Sequence, residues 1–124
     1  MKWFIIGGED INVTDAFIEG ALLNFDIKPK DITEIVTTLR GGVDLMVEEF
    51  ALIQEIECIT VSPNWSKDSV EAPTLLASEI CAAVDRVLII SDGEYAEDDF
   101  LCDVFAFAKA DGVVVHEVIL ATNV

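Results

Sequence analysis

The sequence predicts an α/β fold: a single Rossmann-like three-layer domain, with a five-stranded, mostly parallel sheet and helices on both faces. Three observations carry this expectation. Short β-branched and aromatic runs alternate with amphipathic stretches along the whole of the 124 residues. One run, Val87-Leu88-Ile89-Ile90, is apolar throughout, as a strand covered on both faces must be. No linker, repeat or low-complexity segment divides the chain, whose length suits one domain over residues 1–124.

Lys2-Trp3-Phe4-Ile5-Ile6 forms the first strand, bulky and β-prone until Gly7-Gly8 interrupts it. Asn12 or Thr14 caps a helix to about Phe25, with Phe17, Ile18, Ala21, Leu22 and Phe25 on one face. Lys28-Pro29-Lys30-Asp31 breaks it. Residues 34–38 read as the second strand, and 43–56 as a helix burying Met46, Val47, Phe50 and Ile53. Residues 57–62 make the third strand, and the turn formers from Ser62 to Ser69 a connecting loop. Pro73 suits a first helical position and opens a helix to about Val84.

Residues 86–90 are the most apolar strand and are therefore expected at the centre of the sheet. Ser91-Asp92-Gly93 turns the chain, a fourth helix covers 98–110 before Gly112, and 113–120 is the last strand. In the fourth helix Phe100, Leu101, Val104, Phe105, Phe107 and Ala108 span a stripe of ~160°. That is wider than one sheet face needs and suggests a homodimer.

Charge narrows the function classes. Twenty-four acids against seven bases give −17 at pH 7, with a mean hydropathy of +0.48 that excludes a disordered acidic tail. Direct nucleic-acid binding is excluded by repulsion and by the lack of a Lys/Arg cluster, and an anionic membrane surface by the same repulsion. A small ligand, a metal ion or a basic protein partner remains. No run reaches membrane-span length and no secretion signal opens the chain, so a cytoplasmic protein is expected. Cys58, Cys81 and Cys102 are odd in number and far apart, which fits small buried hydrophobes rather than a disulfide framework or a metal site. His116 stands alone in the last strand and reads as packed or at an edge.

Ligands in open parallel sheets bind beyond the carboxyl ends of the strands, near a topological switch point. Three glycine-bearing turns fall there: Gly7-Gly8-Glu9-Asp10, Leu39-Arg40-Gly41-Gly42 and Ser91-Asp92-Gly93. Glycine lets a backbone approach a ligand closely, and a helix N-terminus behind such a turn favours anions. The candidate ligand-binding residues are Gly7, Gly8, Glu9, Asp10, Thr38, Arg40, Gly41, Gly42, Asp44, Ser91, Asp92 and Gly93. The acidic run Asp92, Glu94, Glu97, Asp98, Asp99, Asp103 does not match a calcium loop, because Gly93 falls at the wrong offset, and reads as a solvated loop leading into a helix. No metal ligands and no catalytic residues are assigned.

Phe4-Ile5-Ile6-Gly7-Gly8-Glu9-Asp10 resembles the opening of the YspA-like (DUF2493) branch of the SLOG superfamily of Rossmann-like nucleotide-binding domains. Glu34-Ile35-Val36, the turn before Gly42-Val43-Asp44, and Glu48-Glu49-Phe50-Ala51 are similar to its second block. Trp65, Ala82-Ala83-Val84-Asp85 and Ser91-Asp92-Gly93 follow in the same order. The resemblance implies a sheet order like 3-2-1-4-5 and a site for a nucleotide or nucleotide-derived ligand. The motifs are degenerate: Glu9 stands where the family has arginine, two glycines of the second motif are lost, its arginine is shifted to Arg40, and the Arg-Asn pair expected around Leu75–Glu79 is absent.

Those departures enrich the rim in carboxylates, and a like charge at ~4 Å costs about 4 kcal/mol at an effective dielectric of ~20. A helix N-terminus returns only ~0.3–1 kcal/mol. A phosphate ligand would therefore call for Mg²⁺; no other cofactor is indicated. The leading expectation is a non-catalytic domain binding a nucleotide-like molecule through Gly7, Gly8, Arg40, Gly41, Gly42 and Asp92. The alternative is an acidic interaction or inhibitor protein of phage or mobile-element origin, with a degenerate pocket and a basic protein partner. A third reading, cleavage of a nucleotide N-glycosidic bond by Glu9 or Asp10, lacks a paired acid.

Overall fold

The segments read as strands from their β-branched and aromatic content all pair in one sheet of a computed structural model that describes residues 1–8, 11–38, 41–62, 72–91 and 99–120. The strands are β1 (Lys2–Gly7), β2 (Glu34–Thr38), β3 (Glu57–Val61), β4 (Arg86–Ser91) and β5 (Val114–Ile119). Their order is β3-β2-β1-β4-β5, and every neighbouring pair is parallel. Between them run α1 (Asp15–Asn24), α2 (Val43–Ile53), α3 (Ala72–Ala83) and α4 (Asp99–Ala110), with a short 3₁₀ turn at Pro29–Asp31.

Side-chain alternation along the strands divides the core in two. Trp3, Ile5, Ile35, Leu88 and Ile90 meet Ile18 and Leu22 of α1 and Val43, Val47, Phe50 and Ala51 of α2. Phe4, Ile6, Val36, Val87 and Ile89 meet Ala77, Ile80 and Cys81 of α3 and Phe100, Leu101, Val104 and Ala108 of α4. The strand order makes β1 and not β4 the middle strand, with β4 beside it. Apolar content could not separate the two, because each has a neighbouring strand on both sides: residues 3–6 of β1 and 87–90 of β4 are all fully buried.

The wide apolar stripe of α4 is taken up within the chain. Phe100, Leu101, Val104 and Ala108 are buried, and Phe105 and Phe107 pack partly against the same cluster. Of the cysteines only Cys81 is buried; Cys58 and Cys102 are half-buried, and the three are not joined in disulfides. Burial and nearby Asp111 push the Cys81 thiol up to about 11.

Helix ends follow local chemistry. Thr14, not Asn12, caps α1, its Oγ1 accepting from the Phe17 N–H at 3.1 Å. Three helices close with the same reversal, in which a residue at positive φ lets the next N–H reach back five residues. Asp26 (φ 59) ends α1 with Ile27 N–H donating to Leu22 O, and Gly112 (φ 72) ends α4 with Val113 N–H donating to Ala108 O. At α2 the left-handed residue is Glu55 (φ 58), and Ile56 N–H donates to Ala51 O at 2.9 Å. The helix therefore stops at Ile53 rather than Ile56, and Ile53 is exposed rather than buried. A side chain in this conformation costs about 1 kcal/mol that glycine avoids. Glu55→Gly is expected to raise stability by about 0.5–1 kcal/mol, read as a higher urea midpoint; a lower midpoint would show that Glu55 makes a contact worth more than its backbone strain.

Candidate functional site

Parallel pairing fixes where the strand ends meet. Gly7 is in register with Ile90, and Ser91 with Ile119, so the carboxyl ends of β1 and β4 lie side by side. The chain crosses leftward from β1 through α1 and rightward from β3 to β4, which makes the β1–β4 boundary the topological switch point. Gly7, Gly8 and Ser91 lie on this boundary; Thr38, Gly41, Gly42 and Asp44 belong to the neighbouring β2–α2 connection. Glu9, Asp10, Arg40, Asp92 and Gly93 lie outside the described residues, as does Trp65.

The β2–α2 connection is built around glycine. Gly41 (φ 119) and Gly42 (φ 53) occupy conformations that side chains strain, and Gly42 takes the N-cap position of α2. Without a capping side chain, the first helical N–H groups find other acceptors: Val43 donates to Gly8 O at 3.4 Å and Asp44 to Gly41 O at 3.1 Å. The first bond links the β1 turn directly to the start of α2.

Asp44 completes that link. It is fully buried in the first turn of α2, where the helix dipole favours negative charge. Its Oδ1 accepts from the Gly7 N–H at 2.9 Å, and its Oδ2 accepts from the Thr38 hydroxyl. One carboxylate thus clasps the ends of β1 and β2 to the helix. Thr37 is also buried, its hydroxyl donating to Ile5 O at 2.7 Å, so both threonines of this strand end are bonded inward.

This geometry gives the candidate residues different roles. Asp44 faces protein donors, and its carboxylate already supplies the negative charge that the start of α2 attracts. Gly7 is buried, and a Cβ there would lie 2.4 Å from the Ile90 carbonyl oxygen. Gly8 is half-exposed; its N–H donates to Ile90 O at 3.2 Å, and the nearest atoms a Cβ would meet belong to the Ile11 side chain. Gly41 and Gly42 are half-exposed and Ser91 is buried. Among the described residues, the surface offered beyond the sheet is therefore backbone of Gly8, Gly41 and Gly42, held over a buried clasp. Among the described residues, no three His, Cys, Asp or Glu side chains converge as a metal site would require.

His116 is packed, as its isolation in the sequence suggested. Its ring stacks on Trp3 at 5.4 Å and meets Phe25 at 4.5 Å. Arg86 Nη1 lies 3.2 Å from His116 Nε2; arginine only donates, so Nε2 accepts and the imidazole is neutral. Burial, and secondarily the Arg86 charge, lower its pKa below the ordinary histidine value. The folded state therefore binds protons less readily than the unfolded chain. The contribution of this group is present in full above the unfolded histidine pKa of ~6.5 and is lost as pH falls toward the depressed folded value. Stability of the wild type is expected to fall more steeply below that pH than stability of His116→Gln, measured by urea unfolding across the acid range; parallel curves would refute a neutral, half-buried His116.

Sequence reasoning missed one further surface. Leu45, Glu48, Glu49, Leu52, Ile56 and Cys58 line a groove of about 510 Å³ between α2 and β3. Its signal was available: Leu45 and Leu52 are seven residues apart, off the stripe of Val43, Val47, Phe50 and Ala51.

Among the described residues no helix is long and apolar enough to cross a membrane. Comparison with protein-family models finds no match, and comparison with curated proteins finds none either.

Proposed function

We propose that this domain binds a nucleotide or nucleotide-derived ligand at the carboxyl edge of its sheet, as a cytoplasmic binding module rather than an enzyme. The observation that carries the reading is the switch point: β1 and β4 are adjacent, and the half-exposed Gly8 opens at their boundary beside the glycine turn that starts α2. The resemblance to SLOG domains supports the ligand class, and the sheet order is the one that resemblance implies. The Asp44 carboxylate at the start of α2 argues that a phosphate is met by backbone of the β1 and β4 turns, with Mg²⁺ offsetting the acids nearby in sequence.

A thermal-shift screen against nucleotides, cyclic nucleotides and ADP-ribose derivatives, with and without Mg²⁺, tests this. A ligand at 100 times its dissociation constant stabilises by ~2.7 kcal/mol, about 10 °C for a domain of this size. The shift is expected to vanish in Gly8→Val while the fold survives, since the added atoms displace only the flexible Ile11 side chain. No shift with any of these ligands would set the reading aside.

A second reading is favoured by the surface: a net charge of −17 with exposed Leu45, Leu52 and Ile53 on α2 fits recognition of a basic protein partner, as a phage-encoded interaction protein would. Its test is a salt titration of binding to cationic peptides, which screening at a Debye length of ~8 Å weakens.

A further inference from the structure

We infer that the groove between α2 and β3 docks an extended partner segment in which apolar residues alternate with lysine or arginine, added as a further strand beside β3. The inference rests on the partner reading above and says where that partner sits; it is independent of the switch-point ligand.

β3 is an edge strand: it pairs with β2 on one side, and among the described residues no strand pairs with its other side. An added strand satisfies that row of backbone groups and sends alternate side chains toward α2. On that side they meet an apolar floor of Leu45, Leu52, Ile56 and Cys58. Leu52 is 78% exposed and Leu45 53%, well above what single scattered leucines on a helix need. Burial and nearby Glu48 push the Cys58 thiol up, so that wall of the groove stays uncharged at neutral pH.

Charge selects the occupant. The lining contains Glu48 and Glu49 and no cation. A second copy of this chain brings −17 of the same sign and seven bases in 124 residues, so its approach is repelled. With its apolar residues toward α2, the alternate Lys or Arg side chains of the segment project to the opposite face, where Glu57 is exposed at the start of β3, while Glu48 and Glu49 attract the basic segment as a whole toward the groove.

The test is a titration of isotope-labelled protein with a Val/Lys-alternating octapeptide, followed by NMR, with Ser/Lys and Val/Glu octapeptides as comparators. The Val/Lys peptide is expected to shift the amides of β3 and the methyls of Leu45 and Leu52, and to bind at least about tenfold more tightly than either comparator. Leu52→Lys and the double variant Glu48→Lys/Glu49→Lys are expected to remove those shifts while keeping the wild-type far-UV spectrum. Equal binding of Val/Lys and Ser/Lys, with shifts spread over other acidic residues and unaltered in Leu52→Lys, would overturn the groove and leave the partner reading standing. No binding of either cationic peptide would overturn both. Shifts that grow with protein concentration alone, abolished by Leu52→Lys, would make a second copy the occupant and overturn the assignment of a basic partner.

Discussion

Replacing Asp44 with alanine is expected to remove about 4 kcal/mol of stability, the largest loss from any single polar side chain among the described residues. The carboxylate is fully buried and accepts from the Gly7 N–H and the Thr38 hydroxyl. Each stranded donor costs ~1–3 kcal/mol, and hydrogen bonds to a charged acceptor are the stronger kind. Alanine also withdraws the negative charge from the first turn of α2. Against a typical total of ~5–15 kcal/mol, the loss brings the domain near its folding threshold.

Two milder variants separate the parts of that loss. Asp44→Asn keeps an oxygen for the Gly7 N–H and turns an amide toward the Thr38 hydroxyl, which can accept instead; about half the loss is expected. Thr38→Val deletes one donor at nearly constant volume and is expected to cost about 1–2 kcal/mol. Urea unfolding with the buried Trp3 as fluorescent probe measures all three. Asp44→Ala within about 1 kcal/mol of wild type would mean that the strand ends are held without the clasp, and that its carboxylate is free to serve a ligand.

The clasp also shows which part of the site was legible. That the carboxyl ends of β1, β2 and β4 lie together at one sheet edge follows from strand and helix alternation alone, because parallel topology admits few other arrangements. The fate of Asp44 does not follow. Its partners lie 6 and 37 residues away, in two different strands, so an acid four residues after Arg40 reads as a rim carboxylate until the fold is known. A partial signal existed: an acid in the first turn of a helix whose N-cap is glycine has unbonded N–H groups beside it.

Helix ends were legible in kind and not in place. Ile53 and Ile56 continue the apolar spacing of α2, and Glu55 is a good helix former, so nothing local stops the helix before Ile56. Burial decides instead: the reversal at Glu55 turns Ile56 back toward the core cluster that a further helical turn would have carried it past. Gly112 ends α4 by the same geometry and was read correctly, because there the left-handed residue is a glycine.

Gly7→Ala is expected to cost about 3 kcal/mol or more, whereas Gly8→Ala next to it is expected to cost less than about 1 kcal/mol. The two glycines share a motif and differ in surroundings. At Gly7 a Cβ would lie 2.4 Å from the Ile90 carbonyl oxygen and 2.7 Å from Val43 Cβ, so β4 and the first turn of α2 must both move. Neither moves alone: Ile90 is in the central part of the sheet, and Val43 is tied to Gly8 through its N–H. Movement at Val43 also pulls Asp44 away from the Gly7 N–H, adding loss of the clasp to the steric cost. At Gly8 the obstacle is Ile11, 2.7 Å away at its Cδ1, and a rotamer change there clears it. Gly7 is therefore glycine because sheet and helix close over it, and Gly8 is the glycine that the scaffold does not require, which is why the proposed ligand is placed there. Thermal unfolding of the two alanine variants decides this; equal losses would place both glycines in the scaffold and remove the main support for a ligand at the β1–β4 boundary.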